Sequence, residues 1–220
     1  MSWMLLMIVA IALGGLTQLW VKRSFKRYSQ VPLATGQTGA QVARHMLNAE
    51  GLHNVAIERV AGDLTDHYDP RTKVIRLSAA VHDGTTVAAA GVAAHEAGHA
   101  VQDARAFAFA RIRSALVPTA QLGSSLAMPL VFGGIILNFA DLIMLGVIVF
   151  AAAVLFQLVT LPVEFDASRR ALVALSTGNM LPADQVSGAR TVLTAAALTY
   201  LAATLVAVLQ LLYFLSLARR

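Results

Sequence analysis

The sequence predicts a mainly α membrane protein with about four transmembrane helices and an extramembrane part holding a small β-hairpin or sheet. Composition gives the first indication: of 220 residues, 57% are hydrophobic and 13% charged, with a mean hydropathy of +0.67. That is too apolar for a soluble domain of this size. Hydropathy patterning gives the second: long apolar runs occupy 3–21, roughly 142–161 and 192–217, and a more broken one occupies 114–137. Each can cross a hydrocarbon core about 30 Å thick.

Segment 1–21 reads as an uncleaved N-terminal anchor, because it lacks a basic leader and a small-residue cleavage site and is followed directly by Lys22, Arg23, Lys26 and Arg27. Pro32 and Gly36 make 24–38 a connector, Thr38 is placed to cap a helix over 39–50, and Gly51 stops it. Residues 54–60 and 73–77 favour β-branched or alternating side chains, and Asp69-Pro70 between them marks a turn, which predicts the hairpin or small sheet. From Thr85 a long helix rich in Ala and Gly is expected to reach about Arg113, closing an extramembrane part at 22–113. A two-span hairpin follows at 114–161. Pro118, Pro129, Gln121 and Ser124-Ser125 predict a kinked first limb, tolerable where neighbouring helices cover the freed backbone groups. Pro162 is expected to break the second limb, with a helix resuming over 162–191 and a last span over 192–220.

With four spans, 22–113 and 162–191 lie on one side and hold 12 and 3 of the 17 Lys and Arg residues, against none in the 138–141 turn. The positive-inside rule puts both segments in the cytoplasm, while Arg219 and Arg220 at the far end are weak votes against it. The chain has no Cys, which fits a reducing compartment and leaves only nitrogen and oxygen as metal ligands. A sequence pI near 10.1 raises nucleic acid as a partner. The basic residues cluster beside the spans, however, where they set orientation and meet anionic lipid headgroups, so the expected partner is the lipid bilayer and not nucleic acid.

The chemistry is carried by His95-Glu96-Ala97-Gly98-His99. H-E-x-x-H on a helix places two imidazoles one turn apart on one face, where both reach one tetrahedral ion, and sets Glu96 beside them to take a proton from water. The chain's own 6 His and 4 Glu would yield this pattern by chance in roughly three sequences per thousand. Such a zinc site usually takes a third protein ligand and keeps a fourth position open. Glu164 is the best candidate, because Glu50 and Glu58 both precede the motif and the intervening hairpin crosses the membrane an even number of times, returning the chain to the same side. Asp103, Asp166 and Ser168 are candidates to orient the ligands. His67 and His82 are conceivable transition-state donors but are expected to be solvated loop histidines.

Further blocks carry a resemblance: Thr38-Gly39-Ala40, Leu64-Thr65-Asp66-His67-Tyr68-Asp69-Pro70-Arg71, Gly91-Val92-Ala93-Ala94 running into the H-E-x-x-H segment and Gln102-Asp103, residues 161–171, and Ala195 to Tyr200. Over nearly its full length the chain resembles the YugP-type bacterial membrane neutral zinc metallopeptidases. The resemblance implies a zincin-like metalloprotease domain, a membrane-bound endopeptidase acting on peptides or proteins, Zn2+ held by His95, His99 and Glu164, Glu96 as general base, and a bacterial inner membrane location. The order of parts is also similar to HtpX-type and prenyl-protein proteases, although Ser168 stands where those enzymes have Asp. Two other readings compete. One is an intramembrane zinc protease, opposed by Asp83, Asp103, Arg105, Arg111 and Arg113 around the motif. The other is a membrane scaffold or adaptor with a closed, non-catalytic metal site. If the 73–77 strand were an exposed edge, it could take an extended peptide by β-addition. Substrate identity and oligomeric state are not specified by the sequence.

Overall fold

Helix dominates the computed structural model, which describes residues 3–178 and 180–218. In chain order the elements are α1 (Trp3–Tyr28), α2 (Gly39–Ala49), β1 (Ala56–Val60), β2 (His67–Asp69), β3 (Val74–Ser78), α3 (Ala79–His82), α4 (Val87–Ala104), α5 (Ala108–Ile136), α6 (Ala140–Thr177) and α7 (Ala183–Ala218). Four of these, α1, α5, α6 and α7, are long and apolar enough to cross a membrane; α4, which carries the H-E-x-x-H segment, is not one of them. Arg219 and Arg220 lie outside the described residues.

The chain divides into two compact units. The first comprises Gln18–Phe107 and Val163–Ala197. Here α2 begins at a capping box, Thr38 accepting from the Gln41 amide while the Gln41 side chain accepts from the Thr38 amide. This satisfies two donors that a helix start otherwise leaves orphaned. The sheet has the order β1-β3-β2, with β1 parallel and β2 antiparallel to β3. The Asp69-Pro70 turn therefore joins β3 not to β1 but to the three-residue β2, and the hairpin is β2–β3. Residues 61–73 are long enough to carry β1 back into parallel register with β3. Strand β3 is paired on both sides, so it is not the exposed edge that β-addition requires.

At the centre of this unit, α4 has Val87, Ala90, Ala93, Ala94, Ala97, Ala100 and Val101 buried in one core. Their partners are Val42 and Leu47 of α2, Ile75 and Leu77 of β3, Leu175 of α6 and Leu193 of α7. A helix covered on nearly all faces needs small side chains, which explains the Ala and Gly richness of 88–100. The helix ends at Ala104 and does not run on to Arg113. Ala106 takes the left-handed conformation (φ 50°), its amide bonds the Asp103 carbonyl at 3.0 Å and the Phe107 amide bonds the Gln102 carbonyl at 2.9 Å. That pair of bonds is a Schellman stop. It is hidden in the sequence because Ala stands where Gly is usual.

The second unit comprises Met1–Thr17, Ala108–Pro162 and Leu198–Arg220. Helices α5 and α6 are joined by a short turn that is also a Schellman stop, with Asn138 left-handed (φ 52°). The two helices approach closely where side chains vanish: a Cβ on Gly123 would lie 2.6 Å from the Val149 carbonyl oxygen, and one on Gly146 would lie 3.0 Å from the Val131 amide nitrogen. Ala127, Val131, Val147, Phe150 and Phe214 fill the core, and the Trp3 ring stacks on Phe214 at 5.8 Å. Met4, Ile11 and Ile136 are among the most exposed apolar residues, at 71%, 70% and 81%. Side chains of this kind suit a hydrocarbon environment.

Pro118 and Pro129 sit inside α5, and Pro162 sits inside α6. Pro162 does not break its helix, which continues to Thr177. Proline removes a single backbone donor, a cost that packed spanning helices absorb. Helix α1 likewise continues past its apolar run to Tyr28, and α7 begins at Ala183, ahead of its apolar run.

Candidate metal centre

Helix α4 starts at Thr86, whose hydroxyl accepts from the Ala89 amide. Two turns on, the helix presents His95, and one further turn on it presents His99. Glu164 and Ser168 come from α6. The two helices can approach because position 98 is glycine: a Cβ there would lie 2.7 Å from the Ala167 carbonyl oxygen. Gly98 sits between the two histidines, so this close approach of α4 and α6 falls at the site itself.

The ligand atoms of His95, His99 and Glu164 all lie within 4.8 Å of one another. Glu164 Oε2 is 3.3 Å from His95 Nε2 and 3.7 Å from His99 Nε2. Nitrogen and oxygen ligands about 2.0–2.1 Å from a tetrahedral ion are separated by about 3.3 Å, so these atoms stand close to the spacing a single zinc ion requires. The donor set, two neutral imidazoles and a carboxylate, is that of known hydrolytic zinc sites with one coordination position left open. The residues fit the metal. Glu164 is nearly fully buried, with its side chain 3% exposed, and both histidine side chains are 14% exposed. A carboxylate so placed requires positive charge at hand.

Each imidazole has a partner on its other nitrogen. Ser168 Oγ lies 3.1 Å from His95 Nδ1, and Gln102 Oε1 lies 3.1 Å from His99 Nδ1. Gln102 in turn donates to the Val163 carbonyl (2.7 Å) and to Asp166 Oδ2 (3.0 Å), and Asp166 is held by Arg169 and Arg170. Burial disfavours the charged form of His99, but its contacts with Glu164, the charge of Glu96 and the bond to Gln102 outweigh this and hold the imidazole above its ordinary value of 6.5. Glu96 is buried at 8% exposure.

Asp103 does not orient His99, although it lies four residues on. Its carboxylate accepts from Tyr68 Oη at 2.7 Å and from Lys73 Nζ at 2.5 Å, pinning the β2–β3 hairpin to α4. Burial and that carboxylate push the Tyr68 phenol above its usual range. Gln102, one residue earlier, is what reaches His99. It also shares a helix face with the histidine, at the i+3 spacing, and could have been picked out by that alone. His67 is exposed and bonded to the Thr65 carbonyl, and His82 pairs with its neighbour Asp83. Neither belongs to the group of ligand atoms.

Comparison with known proteins agrees in direction with this geometry. Residues 3–219 match the pattern of a family described as "Putative neutral zinc metallopeptidase". The chain is 44% identical over 214 residues to "Putative membrane protease YugP" of Bacillus subtilis (strain 168), covering 97% of this chain and 95% of that one. No solved structure matches. The match covers nearly the whole of both chains, and the chain belongs to this neutral zinc metallopeptidase family.

Proposed function

We propose that this protein is a membrane-bound zinc-dependent endopeptidase, with His95, His99 and Glu164 as metal ligands and Glu96 as general base. The observation that carries the proposal is the convergence of three ligand atoms from two distant segments at the spacing of one tetrahedral ion. Zinc in such a site supplies Lewis acidity, bringing the pKa of water down to about 7 and polarising a carbonyl. The chain's own residues do the rest. Glu96 takes a proton at its carboxylate from the attacking water and passes it to the leaving amine. Ser168 and Gln102 hold the two imidazoles in place. The surrounding burial strengthens each of these interactions by excluding water.

The substrate class is peptides or proteins, membrane proteins among them, and the bilayer is the second partner. The site faces the cytoplasm of a bacterial inner membrane, a reading supported by the crowding of Lys and Arg into 22–113 and 162–191. The test is casein cleavage by detergent-purified protein, comparing the parent with Glu96→Gln. The expected result is metal-dependent cleavage lost by about 10²–10⁴-fold in the variant with zinc still bound. Zinc binding with no cleavage by the parent on casein or on membrane-protein substrates would favour the scaffold reading.

A further inference from the structure

We infer that Gln102 is a positioning residue that locks His99 in the tautomer whose Nε2 is free to bind a metal. This rests on the metal-site reading above. The argument is one of donors and acceptors. The Gln102 amide is fully buried and makes three contacts. Two of them go to atoms that only accept: the Val163 carbonyl oxygen and the Asp166 carboxylate, itself engaged only by donors from Arg169 and Arg170. Those two contacts require the amide nitrogen, with its two hydrogens. The amide oxygen must then face His99 Nδ1, 3.1 Å away. An oxygen only accepts, so Nδ1 carries the hydrogen and Nε2 presents its lone pair on the side of Glu164. Turning the amide over would set oxygen against two acceptors in a buried place, which is costly.

His95 has no such lock. Its partner, the Ser168 hydroxyl, both donates and accepts, and so is compatible with either tautomer. The two ligands of one H-E-x-x-H segment therefore differ at Nδ1: the partner of His99 fixes its tautomer, while the partner of His95 leaves the choice to the Glu164 carboxylate, 3.3 Å from its Nε2. The lock is built from α4 and α6 together, so the helix that contributes Glu164 also sets the protonation of His99.

The experiment uses the full chain in detergent. Nitrogen-15 spectra of the histidines in metal-free protein, in buffer alkaline enough to keep the imidazoles neutral, read the tautomer directly. The parent is expected to show His99 protonated at Nδ1, and Gln102→Leu to lose that preference. Chelator competition should show zinc affinity about 10–100-fold weaker in Gln102→Leu. A parent in which neutral His99 carries its proton on Nε2 overturns the inference without any variant, as does a folded Gln102→Leu with unchanged tautomer and affinity. A parent with the Nδ1–H form that takes up no zinc would leave the lock standing and remove the metal site.

Discussion

Replacing Gly98 by alanine tests how tightly the site depends on the meeting of α4 and α6. The added Cβ would sit 2.7 Å from the Ala167 carbonyl oxygen and 3.2 Å from the Ala167 Cα and carbonyl carbon, all backbone atoms that cannot swing aside. Ordinary contact begins at 3.4 Å, so α6 must retreat by about 0.7 Å, well beyond the roughly 0.2 Å tolerance of metal–ligand distances. Overpacking of this kind costs about 1–3 kcal/mol, against about 0.5–1 kcal/mol gained by removing a helical glycine. If the metal-free protein relaxes by opening the contact, closing it again around zinc restores that strain. Zinc affinity should then fall by about five- to a hundredfold. Gly91→Ala is the internal control: it lies two turns earlier on the same helix, and its Cβ would meet Ala189 Cβ at an ordinary 3.4 Å. That variant should bind zinc as the parent does and be slightly more stable. Chelator competition and thermal unfolding of both variants in detergent supply the readout. A Gly98→Ala protein with parental zinc affinity and stability would refute the reasoning.

Two further outcomes follow from the geometry. Asp103→Ala should leave zinc affinity unchanged while destabilising the fold by about 0.5–1.5 kcal/mol in thermal or denaturant unfolding, because Tyr68 and Lys73 lose a shared, partly exposed acceptor; weakened zinc binding would return Asp103 to the ligand-orienting role the sequence suggested. Because the pKa of His99 is raised in the metal-free fold, its contribution to stability is fully present below 6.5 and lost as pH rises through the higher folded value. Zinc must displace that proton, so affinity measured across a pH series should rise with pH to a point above 6.5 and then level off; levelling below 6.5 would contradict the assignment.

Much of the architecture was legible because its signals are local. Apolar runs located the four long helices, and Thr38 with Gly51 bracketed α2 to within a residue. What was not legible depends on distant partners. Strand β2 is three residues long and exists by pairing with β3, so no alternation announced it. The stop after Ala104 uses Ala106 in a conformation that sequence reserves for glycine. Pro162 reads as a helix breaker wherever its neighbours are unknown. At the candidate site, H-E-x-x-H is a one-turn pattern and could be read directly, and Glu164 followed from counting glutamates and crossings. Gln102 is not legible as a partner of His99 from its type alone: the contact is local, but its amide is oriented by Val163 and Asp166, more than sixty residues away.

The central claim is that His95, His99 and Glu164 hold one zinc ion, and zinc stoichiometry after exhaustive dialysis of detergent-purified parent and Glu164→Ala tests it most directly. The expected result is one tightly held zinc per parent chain and a variant that loses it while remaining folded. A Glu164→Ala protein that keeps its zinc at parental affinity would contradict it.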